Sequence, residues 1–230
     1  FKYPPRRIIS LCPSITETLF DLNLEDQIVG RTSFCIHPKE KVKDVKVVGG
    51  TKQIKEQVIE QLNPDLIIAE KEENPKEMVA ELSEKYPVFV LNVEQYDDAM
   101  EMILQLGQLT DREELAQQIV QDIESKFAKL PTITGLRVAY VIWKDPYMVA
   151  GNHTFIHAIL KKMGLQNVFE HYPSRYPSVS LEDFQNEELD LLFLTSEPYP
   201  FKESHVEDLQ KLLPNTKVLL VDGEPFIWYG

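Results

Sequence analysis

The chain contains few cysteines and no long apolar segment. Cys12 and Cys35 are its only cysteines among 230 residues, which excludes a framework of several disulfides. Their unlike sequence contexts favour two free, buried thiols over a single disulfide between them. No apolar run approaches the roughly 20 residues that a membrane-spanning helix needs. The sequence therefore predicts no helix that crosses a bilayer.

Positive charge is also scarce. The 24 Lys and Arg residues against 37 Asp and Glu give a formal net charge of -13, which argues against a nucleic-acid partner because phosphates would be repelled. The chain begins without a signal peptide and ends at Gly230 without a closing helix, so we expect a truncated C-terminus. A processed protein would begin in the same way. Both an extracytoplasmic and a cytoplasmic location therefore stay open.

Recognisable catalytic motifs are absent. The sequence has no GxSxG nucleophile elbow and no GxGxxG or GxxxxGK[ST] phosphate loop. His153 and His157 have the four-residue spacing of metal ligands on a helix, but no neighbouring Glu and no third ligand accompany them. A polar residue at a helix start and a half-buried histidine explain the pair better. We therefore predict a protein that is not an enzyme and that has no intrinsic cofactor.

A short cassette occurs twice, about 125 residues apart. Residues 62–70 and residues 188–197 each contain a short apolar run that follows a polar stretch and ends on a glutamate. A helix-like segment and a second apolar run follow each copy, at 87–91 and at 217–221. Short apolar runs of this kind are typical of strands buried in a parallel sheet. The repetition predicts two similar α/β lobes with a ligand-binding cleft between them.

The segment between the two copies is almost wholly helical from residue 97 to 130, with a predicted break at 109–111. Beyond the break, Leu115, Ile119, Ile123 and Phe127 recur every four residues and form one narrow apolar stripe. Such a helix suits a spine between two lobes, although a surface helix of one large α/β domain would show the same pattern. We predict an N-terminal lobe at 1–108, a bridging helix at 109–131 and a C-terminal lobe at 132–230.

Near the N-terminus, Ser14 and Glu17 form a capping-box pattern that predicts a helix beginning at Ser14. In parallel α/β sheets, the residues that follow the carboxyl ends of strands line the ligand crevice. Aromatic rings accompanied by an arginine and a histidine at these places suit a large, planar or chelated, partly anionic ligand. Any one of these rings alone is better explained as part of the core, and it is their clustering at strand ends that indicates a ligand site. The candidate ligand contacts are His37, Gly50, Thr51, Glu70, Trp143, Tyr147, Arg175, Tyr176, Glu197 and Trp228.

Two segments carry a resemblance to a known family. Residues 6–17, RRIISLCPSITE, resemble the opening P-x-R-I-I-S-L-x-P-S-x-T-E of substrate-binding proteins for iron-siderophores, haem and cobalamin. Residues 62–68, LNPDLII, resemble the L-x-P-D-L-I-I that follows in those proteins. The sequence is thereby similar to the helical-backbone metal receptors of ABC importers, and the similarity extends over nearly the whole chain.

The resemblance implies two Rossmann-like lobes with parallel sheets, joined by a single long backbone helix, as in class III periplasmic binding proteins. Among these receptors the chain is most similar to those for cobalamin, where His37 and Tyr176 would take the places of ring-contacting aromatics. Gly50, Thr51 and Glu70 stand where those receptors carry tryptophans, so haem and ferric siderophores stay open as ligands beside cobalamin. The only metal contact implied is His37 acting on a bound chelate.

The family also implies partners and a location. Its members deliver their ligand to an ABC transporter permease from the periplasm or the outer cell surface, and we expect a monomer. Exposed glutamates on each lobe would dock to the permease, with Glu72, Glu73, Glu77, Glu203 and Glu207 as candidates. An ordinary acidic surface explains these glutamates equally well. The competing interpretation is an intracellular metal-cofactor protein or enzyme on a nitrogenase-like two-lobe fold.

Overall fold

The protein packs as two compact α/β units in a computed structural model that describes residues 3–131 and 133–229. Unit 1 contains residues 3–93, 97–128 and 228–229, and unit 2 contains residues 94–96, 129–131 and 133–227. Positions 1, 132 and 230 of the predicted lobe boundaries lie outside the described residues. The prediction of two α/β lobes with mostly parallel sheets is confirmed.

The sheet of unit 1 is entirely parallel over the described residues, and its strand order is β3-β2-β1-β4-β5. Its central strands are buried on both faces because helices cover each side. The buried residues Ile9, Ile67 and Ile59 belong to one continuous apolar cluster. The strands are β1 (Ile8–Ser10), β2 (Ile28–Thr32), β3 (Lys46–Gly49), β4 (Leu66–Glu70) and β5 (Val88–Leu91).

Six helices occupy the same part of the chain. They are α1 (Pro13–Asp21), α2 (Lys39–Val42), α3 (Glu56–Leu62), α4 (Lys76–Lys85), α5 (Tyr96–Thr110) and α6 (Glu113–Ala128). The predicted break between the last two is confirmed, since Asp111 takes a positive φ of 61°. Gly107 lies where a Cβ atom would come within 2.4 Å of the Ala116 Cβ. Glycine at 107 therefore allows α5 and α6 to approach closely.

Helix α6 carries the apolar stripe that the sequence indicated. Leu115 and Ile119 are half-buried, and Ala116 and Val120 beside them are buried. The helix packs as part of unit 1, and the chain passes into unit 2 directly after it. Its role as a spine stays a prediction.

The predicted capping box at the start of α1 is wrong. The helix begins at Pro13, with Cys12 at the N-cap position and no side-chain cap. Proline favours the first helical position because its ring fixes a helical φ and it lacks an N–H that would go unpaired there. Ser14 is therefore already inside the helix, and its Oγ instead accepts a hydrogen bond from the backbone N of Tyr229 at 3.2 Å.

Unit 2 contains a six-stranded sheet ordered β11-β10-β6-β7-β9, with β8 paired to β6. Only β7 runs against the other strands of this described sheet, because it follows β6 through a tight hairpin. The strands are β6 (Arg137–Trp143), β7 (Tyr147–Val149), β8 (Gln166–Asn167), β9 (Ser178–Val179), β10 (Leu191–Thr195) and β11 (Lys217–Val221). The helices are α7 (Phe155–Lys162), α8 (Leu181–Asn186), α9 (Glu203–Leu212) and α10 (Glu224–Ile227).

The first copy of the doubled cassette forms an arginine–aspartate clasp. The Asp65 carboxylate accepts hydrogen bonds from the backbone N of Arg6 at 2.9 Å and from that of Arg7 at 2.8 Å. The Arg7 guanidinium in turn donates to the carbonyl of Leu62 at 2.6 Å. The clasp thus joins the start of β1 to the end of α3 and the start of β4.

The second copy forms the same clasp in unit 2. The Asp190 carboxylate accepts from the backbone N of Arg137 at 2.7 Å, and the Arg137 guanidinium donates to the Glu187 carbonyl at 2.7 Å. Asn63 and Glu188, two residues before each aspartate, both take a positive φ, of 44° and 47°. The two copies therefore share a structure as well as a sequence pattern, and both clasps lie at the amino ends of strands.

Over the described part of the chain, no helix is both long and apolar enough to cross a bilayer.

Candidate functional site

The carboxyl edge of the unit 1 sheet has a topological switch point between β1 and β4. From β1 the chain adds β2 and β3 on one side, and β4 and β5 then extend the sheet on the other side. Ligands of open α/β sheets bind outside the carboxyl ends of the strands at such a point. Cys12 follows β1 here, and Glu70 ends β4.

Two aromatic residues of the C-terminal segment pack on this edge of unit 1. The Tyr229 hydroxyl lies 3.6 Å from the Cys12 Sγ, and the Trp228 ring meets the His37 ring edge to face at 5.4 Å. Edge-to-face packing is the favoured geometry of such ring pairs. His37 is half-buried. The structure therefore brings the predicted contacts His37 and Trp228 together within unit 1.

A buried network of hydroxyls and thiols lies beneath this surface. The Thr16 Oγ1 lies 2.8 Å from the Ser10 Oγ and 3.1 Å from the Cys35 Sγ. Both cysteines are free and buried, as predicted. Desolvation raises the pKa of the Cys12 thiol to about 12. A raised pKa favours the protonated thiol, which is a weak nucleophile.

Gly50 and Thr51 follow β3 and are fixed by backbone contacts. The Gly50 N donates to the Gln53 carbonyl at 2.7 Å, and the Thr51 carbonyl accepts from the Asn74 Nδ2 at 3.0 Å. Asn74 also donates to the Leu11 carbonyl at 3.1 Å. The buried Asn74 amide thus ties together the segments that follow β1 and β3.

Glu70 is almost fully buried, and its carboxylate serves the backbone of its own unit. One oxygen accepts from the N of Glu72 at 2.7 Å and from that of Glu73 at 2.9 Å, and the other accepts from the N of Val93 at 3.3 Å. Burial is the main cause that raises the pKa of this carboxyl. Glu70 is thereby a structural anchor of the turn that follows β4, and its contact with a ligand stays a prediction.

The predicted docking glutamates lie on the surfaces of two helices and one turn. Glu77 and Glu203 belong to the first turns of α4 and α9, and Glu207 lies farther along α9; all three are exposed. Glu72 is exposed in the turn after β4, and Glu73 beside it is half-buried. Their placement is compatible with docking and equally with a plain acidic surface.

In unit 2, three predicted contacts lie at one edge of the sheet. Trp143 ends β6 and is 42% exposed, and its ring packs edge to face on Tyr199 at 5.5 Å. Glu197 follows the end of β10, and Tyr147 begins β7 beside the same edge. Tyr147 also packs on the core residue Phe184 at 5.6 Å. Trp143 is the most accessible of these rings.

Arg175 and Tyr176 lie elsewhere in unit 2. The Gly151 N donates to the Arg175 carbonyl at 2.8 Å, and a Cβ at Gly151 would come within 2.7 Å of the Ser174 carbonyl oxygen. The loop therefore rests on Gly151, several residues along the sheet from Trp143. It connects β8, which pairs parallel with β6, to β9. The Arg175 Nε donates to the His153 carbonyl at 2.6 Å.

His153 and His157 do not form a metal site. No group of three or more candidate metal ligands occurs among residues 3–131 and 133–229. His157 is buried, and its Nδ1 lies 3.4 Å from the Asn167 Nδ2. Desolvation is the main cause that lowers the pKa of His157. The sequence predicted a half-buried histidine at 157, and the structure places His157 in the buried interior.

Comparison with known families agrees with this architecture. Residues 8–217 match the family model described as periplasmic binding protein. The chain belongs to the periplasmic binding protein family. The matched range includes the whole sheet of unit 1 and the sheet of unit 2 up to the first residue of β11. The assignment therefore extends over nearly all of this binding protein.

Curated relatives of this periplasmic binding protein include vitamin B12-binding proteins. That of Vibrio parahaemolyticus is 27% identical over 195 residues, which cover 83% of this chain and 70% of the relative. That of Pectobacterium carotovorum is 26% identical over 185 residues, which cover 77% and 67%. These relatives are binding proteins and not enzymes.

Solved structures show the same fold. The periplasmic vitamin B12-binding protein of Vibrio cholerae superposes with a TM-score of 0.81 at 21% identity, covering 98% of this chain and 91% of that one. A periplasmic heme-binding protein of Roseiflexus also gives a TM-score of 0.81, at 22% identity, with coverages of 98% and 92%. Proteins with different ligands thus share this periplasmic binding protein fold.

Proposed function

We propose that this protein is an extracytoplasmic substrate-binding receptor that captures a metal chelate and delivers it to the permease of an ABC importer. Membership in the periplasmic binding protein family supports binding and transport. Relatives that are named for vitamin B12, together with structural neighbours named for B12 and heme, support a large planar chelate as the ligand class.

The observation that carries the proposal is the ring pair at the switch point of unit 1. His37 and Trp228 meet at 5.4 Å, and the loop of His37 also presents Phe34, which is 58% exposed. Aromatic rings at an accessible strand edge offer a surface on which a flat macrocycle can stack. A neutral His37 imidazole would also suit an open coordination position of the chelated metal. In unit 2, Trp143 supplies an accessible ring.

The two tryptophans provide a direct test, because the chain has only Trp143 and Trp228. A screen of cobinamide, cobalamin, haem and ferric siderophores should identify a chelate that quenches tryptophan emission. The single-tryptophan variants Trp143→Phe and Trp228→Phe report on one unit each. We expect quenching in both, and His37→Ala should weaken binding about tenfold because one stacking ring is lost.

His171→Ala is the matched control, since the His171 side chain is 82% exposed. It should bind like the unaltered protein. If no chelate in the screen changes emission or raises the melting temperature, the proposed function is wrong. If one binds and His37→Ala binds it equally well, the receptor function stands and the assignment of His37 to the site fails.

Delivery to a permease would use exposed carboxylates on both units. Glu77 on α4 and Glu207 on α9 are well placed because both are exposed on helix surfaces. Glu77→Lys and Glu207→Lys should leave chelate affinity unchanged and reduce cellular uptake of the labelled chelate severalfold, because reversed charges repel a basic docking surface. The matched control is Glu81→Lys, another exposed position on α4. Unchanged uptake in both docking variants would exclude these glutamates.

The intracellular metal-cofactor alternative is not favoured. Membership in the periplasmic binding protein family and relatives that are named as binding proteins support the receptor instead.

A further inference from the structure

A groove at the carboxyl ends of β2 and β3 combines an exposed aromatic ring with two lysines and no acidic residue. Residues 33–34, 47 and 49–55 line it, all within unit 1; we call it the Phe34 groove. Two of its lining residues, Lys52 and Lys55, are lysines, and none is Asp or Glu. The chain as a whole carries a net charge of -13, whereas the charged residues that line this groove are all positive. The groove therefore favours an anionic ligand.

The aromatic wall of the groove is held in place. Phe34 is 58% exposed although its ring packs on the Gly50 backbone, where an added Cβ would lie 3.3 Å from the Phe34 Cε2. An exposed aromatic ring offers a flat apolar face on which a planar ligand can stack. Phe34 therefore supplies a flat apolar contact at the mouth of the groove.

The cationic wall is also positioned. The Lys52 Nζ donates to the Glu72 carbonyl at 2.7 Å, which fixes the ammonium group and leaves its other two protons for a ligand. The backbone N of Lys55 donates to the Val48 carbonyl at 2.7 Å, and the Lys55 side chain is exposed. Two lysines and an exposed aromatic ring that line one groove match a planar molecule with anionic groups on its rim.

We propose that the Phe34 groove binds the carboxylate-bearing edge of a planar metal chelate, so that Lys52 and Lys55 select anionic ligands over neutral ones. This inference rests on the proposed function and narrows its ligand class. Charge-assisted hydrogen bonds from ammonium to carboxylate are short and strong. Stacking on Phe34 orients the ring while the lysines hold its rim.

Haem and haem dimethyl ester test this directly, because they differ only in their two carboxylates. We expect the protein to bind haem about tenfold more tightly than the ester, since each accessible charge pair contributes a few-fold. Lys52→Glu/Lys55→Glu should abolish this preference and leave the affinity for the ester unchanged. The control Lys46→Glu/Lys217→Glu changes the net charge equally at the first residues of β3 and β11, and it should keep the preference.

The outcomes separate the two claims. Equal affinity for haem and its ester, or a preference that persists in Lys52→Glu/Lys55→Glu, overturns the role of the groove. Binding of cobinamide without any binding of haem also overturns it and leaves the receptor function intact. Failure to bind haem, its ester, cobinamide and ferric siderophores alike overturns the proposed function itself. Melting temperatures of both double variants should match that of the unaltered protein, since all four lysines are exposed.

Discussion

Replacing Glu70 with alanine is expected to lower the free energy of unfolding by about 3 kcal/mol. The carboxylate satisfies the backbone N–H groups of Glu72, Glu73 and Val93, and alanine removes all three acceptor contacts at once. Among the three, loss of the acceptor for the Val93 N–H should destabilise the fold most, because Val93 is buried and water cannot readily take the place of the carboxylate. Urea denaturation of the Glu70→Ala protein measures the loss.

The control for Glu70→Ala is Glu81→Ala, an exposed position on α4 that should change stability by less than about 0.5 kcal/mol. The pair also tests the sequence-based assignment of Glu70 to the ligand site. A Glu70→Ala protein with unaltered stability and weakened chelate binding would reverse our assignment, because the carboxylate would then serve the ligand and not the fold.

The raised pKa of the Glu70 carboxyl makes the stability of the folded protein depend on pH in a characteristic way. Because the folded state holds the proton at a higher pH than the unfolded state does, the contribution of Glu70 to stability grows as the pH falls from its raised pKa toward 4.5. It is lost again as the pH rises through the folded-state pKa. A Glu70→Gln protein, which does not titrate at 70, should lack this component in unfolding curves measured at several pH values.

The second large effect concerns the arginine–aspartate clasps. Asp65→Ala should destabilise unit 1 by about 3 kcal/mol, because two backbone N–H groups lose a charged acceptor. Asp190→Ala should cost unit 2 about 2 kcal/mol, since one backbone N–H loses its partner there. Native-state hydrogen exchange can assign each loss to its unit, because local opening of one sheet leaves the amides of the other protected.

Asp44→Ala is the matched control for both clasps, because the Asp44 side chain is exposed. It should leave exchange unchanged in both sheets. Faster exchange in unit 2 after Asp65→Ala, or no change in either sheet after both clasp substitutions, would contradict the interpretation of the doubled cassette as two equivalent clasps.

The pattern of apolar runs predicted the main strands well. The runs around Ile67 and Leu192 are buried on both faces, and such strands are recognisable because every residue is apolar. The short strands β7, β8 and β9 were not predicted, since two or three residues carry no periodicity. Strand β3 was not predicted either, because its first residues are exposed or half-buried and show no apolar run.

The candidate site was predictable only in part. The switch-point rule indicated the carboxyl edge that carries His37, because the rule depends only on strand order. It could not show that Glu70 is turned toward backbone N–H groups, since a carboxylate after a strand looks the same in either role. The exposure of Phe34 and the contact of Tyr229 with Cys12 depend on tertiary packing, and no local pattern indicates them.

The contact of the C-terminal aromatics with unit 1 has a consequence for the nascent chain. Ribosomes complete the sequence from the N-terminus, and domains tend to fold as they emerge. Residues 3–93 and 97–128 of unit 1 are made before most of unit 2, but Trp228 and Tyr229 are made only after it. Until then the Cys12 thiol lacks its phenolic neighbour, so its accessibility to an alkylating reagent during synthesis would report when the first unit is finished.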